Sequence, residues 1–248
     1  MGLGWYHNFE KRLEFCGCEA LVYSSPSAYA KYVGNEDCSV FTCSTPSKAG
    51  YVLMVDCGEA YPYRLDCNAA YTEYYNAQGL LAKIVDHKGF ETLITYSETV
   101  TTITDTVSGE SLYLEKNGDQ RIARIYDDHS RQVVFTYTGA CLTGIRDVNG
   151  NTLTYSYDED GRVIYGIDAK NIRYFENTYD NCGRVISQKD GIEGSAPSLF
   201  EYGDNGRRVT TDRNGNQSVR VFDENGLLGS YTDENGNTAA VKRTIQVA

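Results

Sequence analysis

The sequence has little of what builds helices or crosses bilayers. Apolar residues nowhere keep a 3.6-residue period over several turns, and no apolar run approaches the length of a membrane-spanning helix. The opening residues, Met1-Gly2-Leu3-Gly4-Trp5, carry neither the basic flank nor the apolar stretch of a signal peptide. Basic charge is short as well: 23 Lys+Arg stand against 34 Asp+Glu, a formal net charge of −11, and no basic cluster offsets that field. Phosphate backbones are repelled by such a surface, which argues against nucleic acid as a partner. Proline (4), methionine (2) and histidine (3) are scarce. The histidines, His7, His87 and His129, sit on separate segments with no His-x-x-x-His or Gly-x-Ser-x-Gly phrase beside them, so the familiar metal-hydrolase and serine-hydrolase patterns are missing.

Glycine and tyrosine fill the space, with 24 and 21 copies. They are organised by one recurring phrase: Tyr157-Asp158-Glu159-Asp160-Gly161-Arg162-Val163, Tyr179-Asp180-Asn181-Cys182-Gly183-Arg184-Val185, Tyr202-Gly203-Asp204-Asn205-Gly206-Arg207-Arg208-Val209 and Phe222-Asp223-Glu224-Asn225-Gly226-Leu227-Leu228. Gly161, Gly183, Gly206 and Gly226 recur about every 22 residues, the period of a repeat array. Second turns fall between them at Asn149-Gly150-Asn151, Asp168 to Asn171, Asn214-Gly215-Asn216 and Asn235-Gly236-Asn237, where Asn and Gly tolerate positive φ. Leu153-Thr154-Tyr155-Ser156-Tyr157 alternates large with small residues, as strands do. Each repeat thus predicts two strands and two turns, and stacking hairpins edge to edge covers backbone edges and apolar faces that one hairpin leaves bare. Tyr75 to Leu81 restates the phrase in degenerate form, which starts the array near residue 70.

The phrase closely resembles the YD repeat of the RHS family: a Tyr-Asp pair, two or three turn residues, Gly-Arg and an aliphatic residue. Residues 157–163 and 179–185 match throughout, 202–209 has Gly203 for the Asp, and 222–228 has Phe222 for the Tyr and Leu227 for the Arg. Gly2-Leu3-Gly4-Trp5-Tyr6-His7-Asn8-Phe9-Glu10 resembles the opening of the RHS amino-terminal module. The resemblance implies a piece of a hollow β shell that encloses a toxic or effector domain in long, secreted or surface-exposed chains. Neither the family's self-cleaving core segment with its Asp-Pro phrase nor a cargo domain is found here, so the resemblance carries a scaffold role and no activity. A short natural protein and a fragment of a longer one both fit.

The expected architecture is all-β, an open array of stacked antiparallel hairpins, with a cysteine-rich cap at 1–68 and the repeat array at 69–248. Residues 1–15 predict a first strand or strand pair with Trp5, His7 and Phe9 on one face; residues 20–50, rich in Ser, Ala and Pro, predict an irregular loop; Val241 to Val247 predicts a last strand. Six of eight cysteines, Cys16, Cys18, Cys38, Cys43, Cys57 and Cys67, fall in the cap. Disulfides, a zinc site built on Cys16, Cys18, Cys38 and Cys43, and free buried thiols are all open readings. Cys182 takes a turn position and is expected to face solvent. Asp158, Asp160, Asp180, Asp204, Asp212, Asp223 and Asp233 recur with the turns, which predicts side chains that accept turn N–H groups rather than a glycosidase pair or calcium ligands. No catalytic, cofactor or metal residue is assigned. The function expected is a non-enzymatic scaffold outside the cell or at its surface, with an enclosed effector as its partner. The alternatives are a glycan-binding or adhesion module using Trp5 and exposed tyrosines, and a self-assembling structural protein that pairs through its sheet edges.

Overall fold

The structure, a computed structural model, describes residues 1–241 apart from 3, 46, 47, 56, 57, 59 and 225. It forms two compact units, Met1–Gly150 and Asn151–Ala248. The first holds β1 (Arg12–Cys16), β2 (Glu19–Tyr23), β3 (Tyr29–Gly34), β4 (Val40–Cys43), β5 (Tyr51–Val55), β6 (Tyr63–Cys67) and β7 (Tyr71–Tyr75). It continues through β8 (Leu81–Asp86), β9 (Glu91–Tyr96), β10 (Val100–Asp105), β11 (Ser111–Lys116), β12 (Ile122–Asp127), β13 (Gln132–Thr138) and β14 (Cys141–Arg146). The second holds β15 (Thr152–Tyr157), β16 (Val163–Ile167), β17 (Arg173–Tyr179), β18 (Val185–Asp190) and β19 (Ser198–Tyr202). Its last strands are β20 (Arg207–Thr211), β21 (Gln217–Phe222), β22 (Leu228–Thr232) and β23 (Thr238–Ala240). Within each unit every strand pairs antiparallel with its neighbour in sequence, so the all-β array of stacked hairpins is as expected. No α-helix occurs among the described residues.

The repeat phrase works as a bonded unit. Asp158 Oδ1 accepts from the N–H groups of Asp160 and Arg162, while Asp158 Oδ2 takes the Arg162 Nε at 2.7 Å. Asp180 does the same with Cys182 and Arg184. Gly161 and Gly183 take φ of 76° and 75° to close these turns, a conformation that costs an L-residue about 1–2 kcal/mol. The guanidinium then reaches the next hairpin: Arg162 lies over the Tyr179 ring at 5.0 Å, and Arg184 over Tyr202 at 4.4 Å. In return Tyr179 Oη donates to the Val163 carbonyl at 2.6 Å and Tyr202 Oη to that of Val185 at 2.9 Å. The degenerate copies keep the same link, Tyr96 Oη to Leu81 and Tyr137 Oη to Ile122, both at 2.6 Å. A register shift just before Tyr75, Tyr157, Tyr179 and Phe222 marks the bulge that sets up each turn. Gly203 has no carboxylate to cap with, and there β19 and β20 pair without a shift. In the turn at 127–131, which lacks glycine, Ser130 takes the left-handed conformation at φ 64°.

Two expectations are corrected. Among the described residues of 1–11 there is no strand; they form a strap in which the Trp5 N–H bonds the Gly2 carbonyl and the Glu10 N–H that of His7, with Met1, Trp5 and Phe9 against the core. Its strand pattern was too short to find an edge, and β1 begins only at Arg12. Residues 20–50 are not an irregular loop, since β2, β3 and β4 run through them with Ala20, Val22, Tyr32 and Phe41 buried at alternating positions. Val241 is bonded through its N–H to the Gly229 carbonyl, and the rest of the strand expected up to Val247 lies outside the described residues. The 68/69 boundary falls in the β6–β7 turn, inside the first unit. Cys18 and Cys38 form a disulfide with Cα atoms 5.4 Å apart; Cys16, Cys43 and Cys67 are free, and Cys57 lies outside the described residues.

The core belongs to the first unit. Leu13, Tyr32, Phe41, Leu53, Leu65, Tyr75, Leu81, Ile94, Ile103, Leu114, Ile122, Phe135 and Leu142 form one cluster on the inward side of successive strands. A fully buried side chain of this kind stabilises by about 1.5–3 kcal/mol. The sheet curls until Arg12 of β1 bridges Leu80 in the β7–β8 turn, and the Leu13 N–H reaches the Gly79 carbonyl.

Candidate functional site

Alternation in β6 and β7 turns Leu65, Cys67, Glu73 and Tyr75 to the core side. Glu73 is therefore a carboxylate at a core position, 2% exposed. Burying it is tolerable only with its charge matched and its oxygens bonded. Lys11, from the strap, donates to Oε1, and Tyr75 Oη donates to Oε2 at 2.6 Å. The strap is thus pinned to β7 by a buried ion pair.

Beside this pair is a cavity of about 230 Å³. Its walls include Tyr29, Tyr32, Tyr51, Tyr71, Lys11 and Lys48. Lys11 Nζ lies over the Tyr71 ring at 5.6 Å and Lys48 Nζ over the Tyr51 ring at 4.9 Å. Burial pushes the Tyr32, Tyr71 and Tyr75 phenols up, and the Glu73 charge adds to it, so all three stay protonated donors at neutral pH. Burial, then Glu73, pushes the Cys67 thiol up to about 12. A thiol so far from ionising is no nucleophile. The chamber can hold a ligand by stacking, hydrogen bonds and charge.

A second cavity, about 310 Å³, lies along the strap and is lined in part by His7, Glu10, Tyr96 and Lys116. His7 Nε2 is 3.9 Å from Glu10 Oε2, beyond hydrogen-bond reach. Burial lowers the proton affinity of His7; Glu10 opposes that more weakly, and the chain's amino terminus adds a smaller lowering. Here His7 meets one carboxylate rather than a converging pair. His87 is exposed, and His129 is exposed with its ring bonded to Glu110 at 3.2 Å. Trp5 is half-buried against the core, where it serves as an anchor for the strap.

Five of the seven turn carboxylates act as expected, while at Asp204 it is the backbone carbonyl that accepts, from the Arg207 N–H. Asp158, Asp180, Asp212, Asp223 and Asp233 accept backbone N–H groups of their own turns. These bonds chiefly hold the Asp158 and Asp180 carboxyls below the usual carboxylate range, while at Asp212 and Asp233 the side-chain amides of Asn216 and Asn237 lower the carboxyl most and the backbone N–H groups add to it. Asp160 instead pairs with Arg162 at 2.9 Å. Asn216, first residue of a glycosylation triplet, is tied to Asp212 Oδ2 at 2.9 Å. Glu73, Lys11 and Lys48 were missed from sequence. The signal for Glu73 was present, since Tyr71, Glu73 and Tyr75 share one face of a period-two pattern.

No family model matches the chain, and no curated protein matches it. Among solved structures, the Photorhabdus luminescens Tc holotoxin pore is similar over 91% of this chain and 12% of its own, at 14% identity and a TM-score of 0.34. The TcdB2-TccC3 crystal structure is similar over 91% of this chain and 13% of its own, at 13% identity and a TM-score of 0.34. A porin-like protein from Bacteroides uniformis covers 96% of this chain and 83% of its own at 12% identity, with a TM-score of 0.21. This chain spans about an eighth of the toxin chains it matches, and at such overlap these likenesses assign neither family nor function. Among the described residues no helix is long and apolar enough to cross a membrane.

Proposed function

We propose that the chain is a non-enzymatic scaffold, a stretch of RHS-type β shell that encloses or displays an effector domain of a secreted or surface protein. The observation that carries this reading is the link between hairpins, in which a tyrosine hydroxyl bonds the carbonyl beside the preceding turn, at Tyr96, Tyr137, Tyr179 and Tyr202. Three of these rings also receive an arginine, from Arg121, Arg162 and Arg184. The most repeated polar side chains thus join one hairpin to the next, as a wall requires, rather than converge on a cleft. Limited proteolysis with mass mapping, on the polypeptide isolated from its source, is expected to leave the array intact together with a shielded segment that is not array. An array that shields nothing, or turnover of any member of a broad hydrolase substrate panel, would overturn the proposal.

A further inference from the structure

Among the described residues, the cavity beside Glu73 holds one positive charge that no ion pair balances. Glu73 is already matched by Lys11 and by the Tyr75 hydroxyl. Lys48 forms no ion pair among the described residues, yet it is only half exposed and sits over the Tyr51 ring. It lines the cavity together with Cys67, which is the cross-strand partner of Tyr51. On a chain of net charge −11, a lining of two lysines and one glutamate is a local excess of one cation.

The walls say what kind of anion suits it. Tyr23, Tyr29, Tyr32, Tyr51 and Tyr71 bring flat apolar faces, and their hydroxyls, with those of Ser24 and Thr45, are hydrogen-bond donors and acceptors. Among the described residues no arginine lines the cavity, so they offer neither the forked donors nor the multiple charges that phosphate or sulfate recognition uses. At about 230 Å³ it has room for one ring rather than an extended chain.

We infer that this cavity is a binding site for a ring-borne carboxylate, with the ring between the tyrosines and the carboxylate on Lys48. Either a sugar acid or an aromatic acid offers that chemistry. The site stands whether or not the array encloses cargo. Three probes separate the sources on the full chain, glucuronate, benzoate and uncharged glucose, followed by ligand-observed saturation-transfer NMR and titration calorimetry. Saturable binding of glucuronate or benzoate is expected, with glucose silent. Lys48→Ala is expected to weaken the charged probe about tenfold, the worth of one charge-assisted hydrogen bond. Lys48→Arg should restore most of that loss, and Tyr71→Phe should weaken glucuronate more than benzoate. Unchanged melting of each variant keeps the reading free of folding effects. Absence of saturable binding by both acids, equal binding of glucose, or affinity unaltered by Lys48→Ala would each overturn the assignment.

Discussion

Lys11, Glu73 and Tyr75 show how much one buried charge can organise. Truncating Lys11 leaves the Glu73 carboxylate buried beside a single phenol, and an unpaired buried charge destabilises by about 3–5 kcal/mol. Lys11→Ala is therefore expected to lower the urea midpoint sharply, and Tyr75→Phe to cost less, about 1–2 kcal/mol for one hydrogen bond. Equal, small effects from both would show that water reaches Glu73. His7 gives the strap a pH dependence whose sign follows from its lowered proton affinity. The folded chain binds that proton less tightly than the unfolded one, so the stability contributed by neutral His7 is present above the ordinary imidazole value and is lost as pH falls through the depressed folded value. Glu10, Lys11, Arg12, Tyr96 and Lys116 line the same cavity. Trp5 is the single tryptophan and lies in the strap, so its emission reports docking selectively. A red shift on mild acidification is expected, and His7→Gln should flatten it; a shift that persists unchanged in that variant assigns it to other groups.

At the scale of the element, the turn units separate two roles of glycine. Gly215 and Gly206 both have positive φ, 87° and 73°. A Cβ on Gly215 would meet nothing within 4 Å, whereas one on Gly206 would lie 2.1 Å from the Phe222 carbonyl oxygen. Gly215→Ala should therefore show the left-handed backbone cost alone, about 1–2 kcal/mol. Gly206→Ala adds a clash with a neighbouring strand and should cost roughly 3 kcal/mol or more. Thermal unfolding of the two variants checks the order, and equal losses would remove the close approach as a constraint. The turns were also the most legible part of the sequence. Asp158, Gly161 and Arg162 form their bonds with one another, so short-range spacing encodes them. β2 to β4 were obscured because Ser, Ala and Pro dominate between them, although the alternation of Ala20 with Val22 was there to read. The strap and the Lys48 cavity were hidden for a different reason: their partners are distant in sequence, as Lys11 is from Glu73, and only the curl of the sheet brings them together.

Across the whole molecule, burial is unequal between the two units. Nearly all of the buried apolar side chains lie in residues 1–150, and among the described residues the second unit contributes only Tyr155 and Val209. Repeat arrays draw stability from neighbours as much as from each hairpin, and a sheet with few buried side chains is marginal by itself. A fragment of residues 1–150 is accordingly expected to unfold cooperatively in urea, and one of 151–248 to show no sharp transition. The second unit also exposes Ile172, Ile186, Ile192, Leu199 and Val241, while its last described strand, β23, is exposed at all three residues. Exposed apolar side chains of this kind associate with other chains on contact. The net charge of −11 opposes that approach, but salt screens it beyond about 8–10 Å. Self-association of the full chain is therefore expected, and it should strengthen as salt rises. Sedimentation velocity at low and high salt tests this directly: a monomer that stays independent of concentration at both would mean that the exposed apolar side chains of the second unit are kept apart, and the expectation would fail.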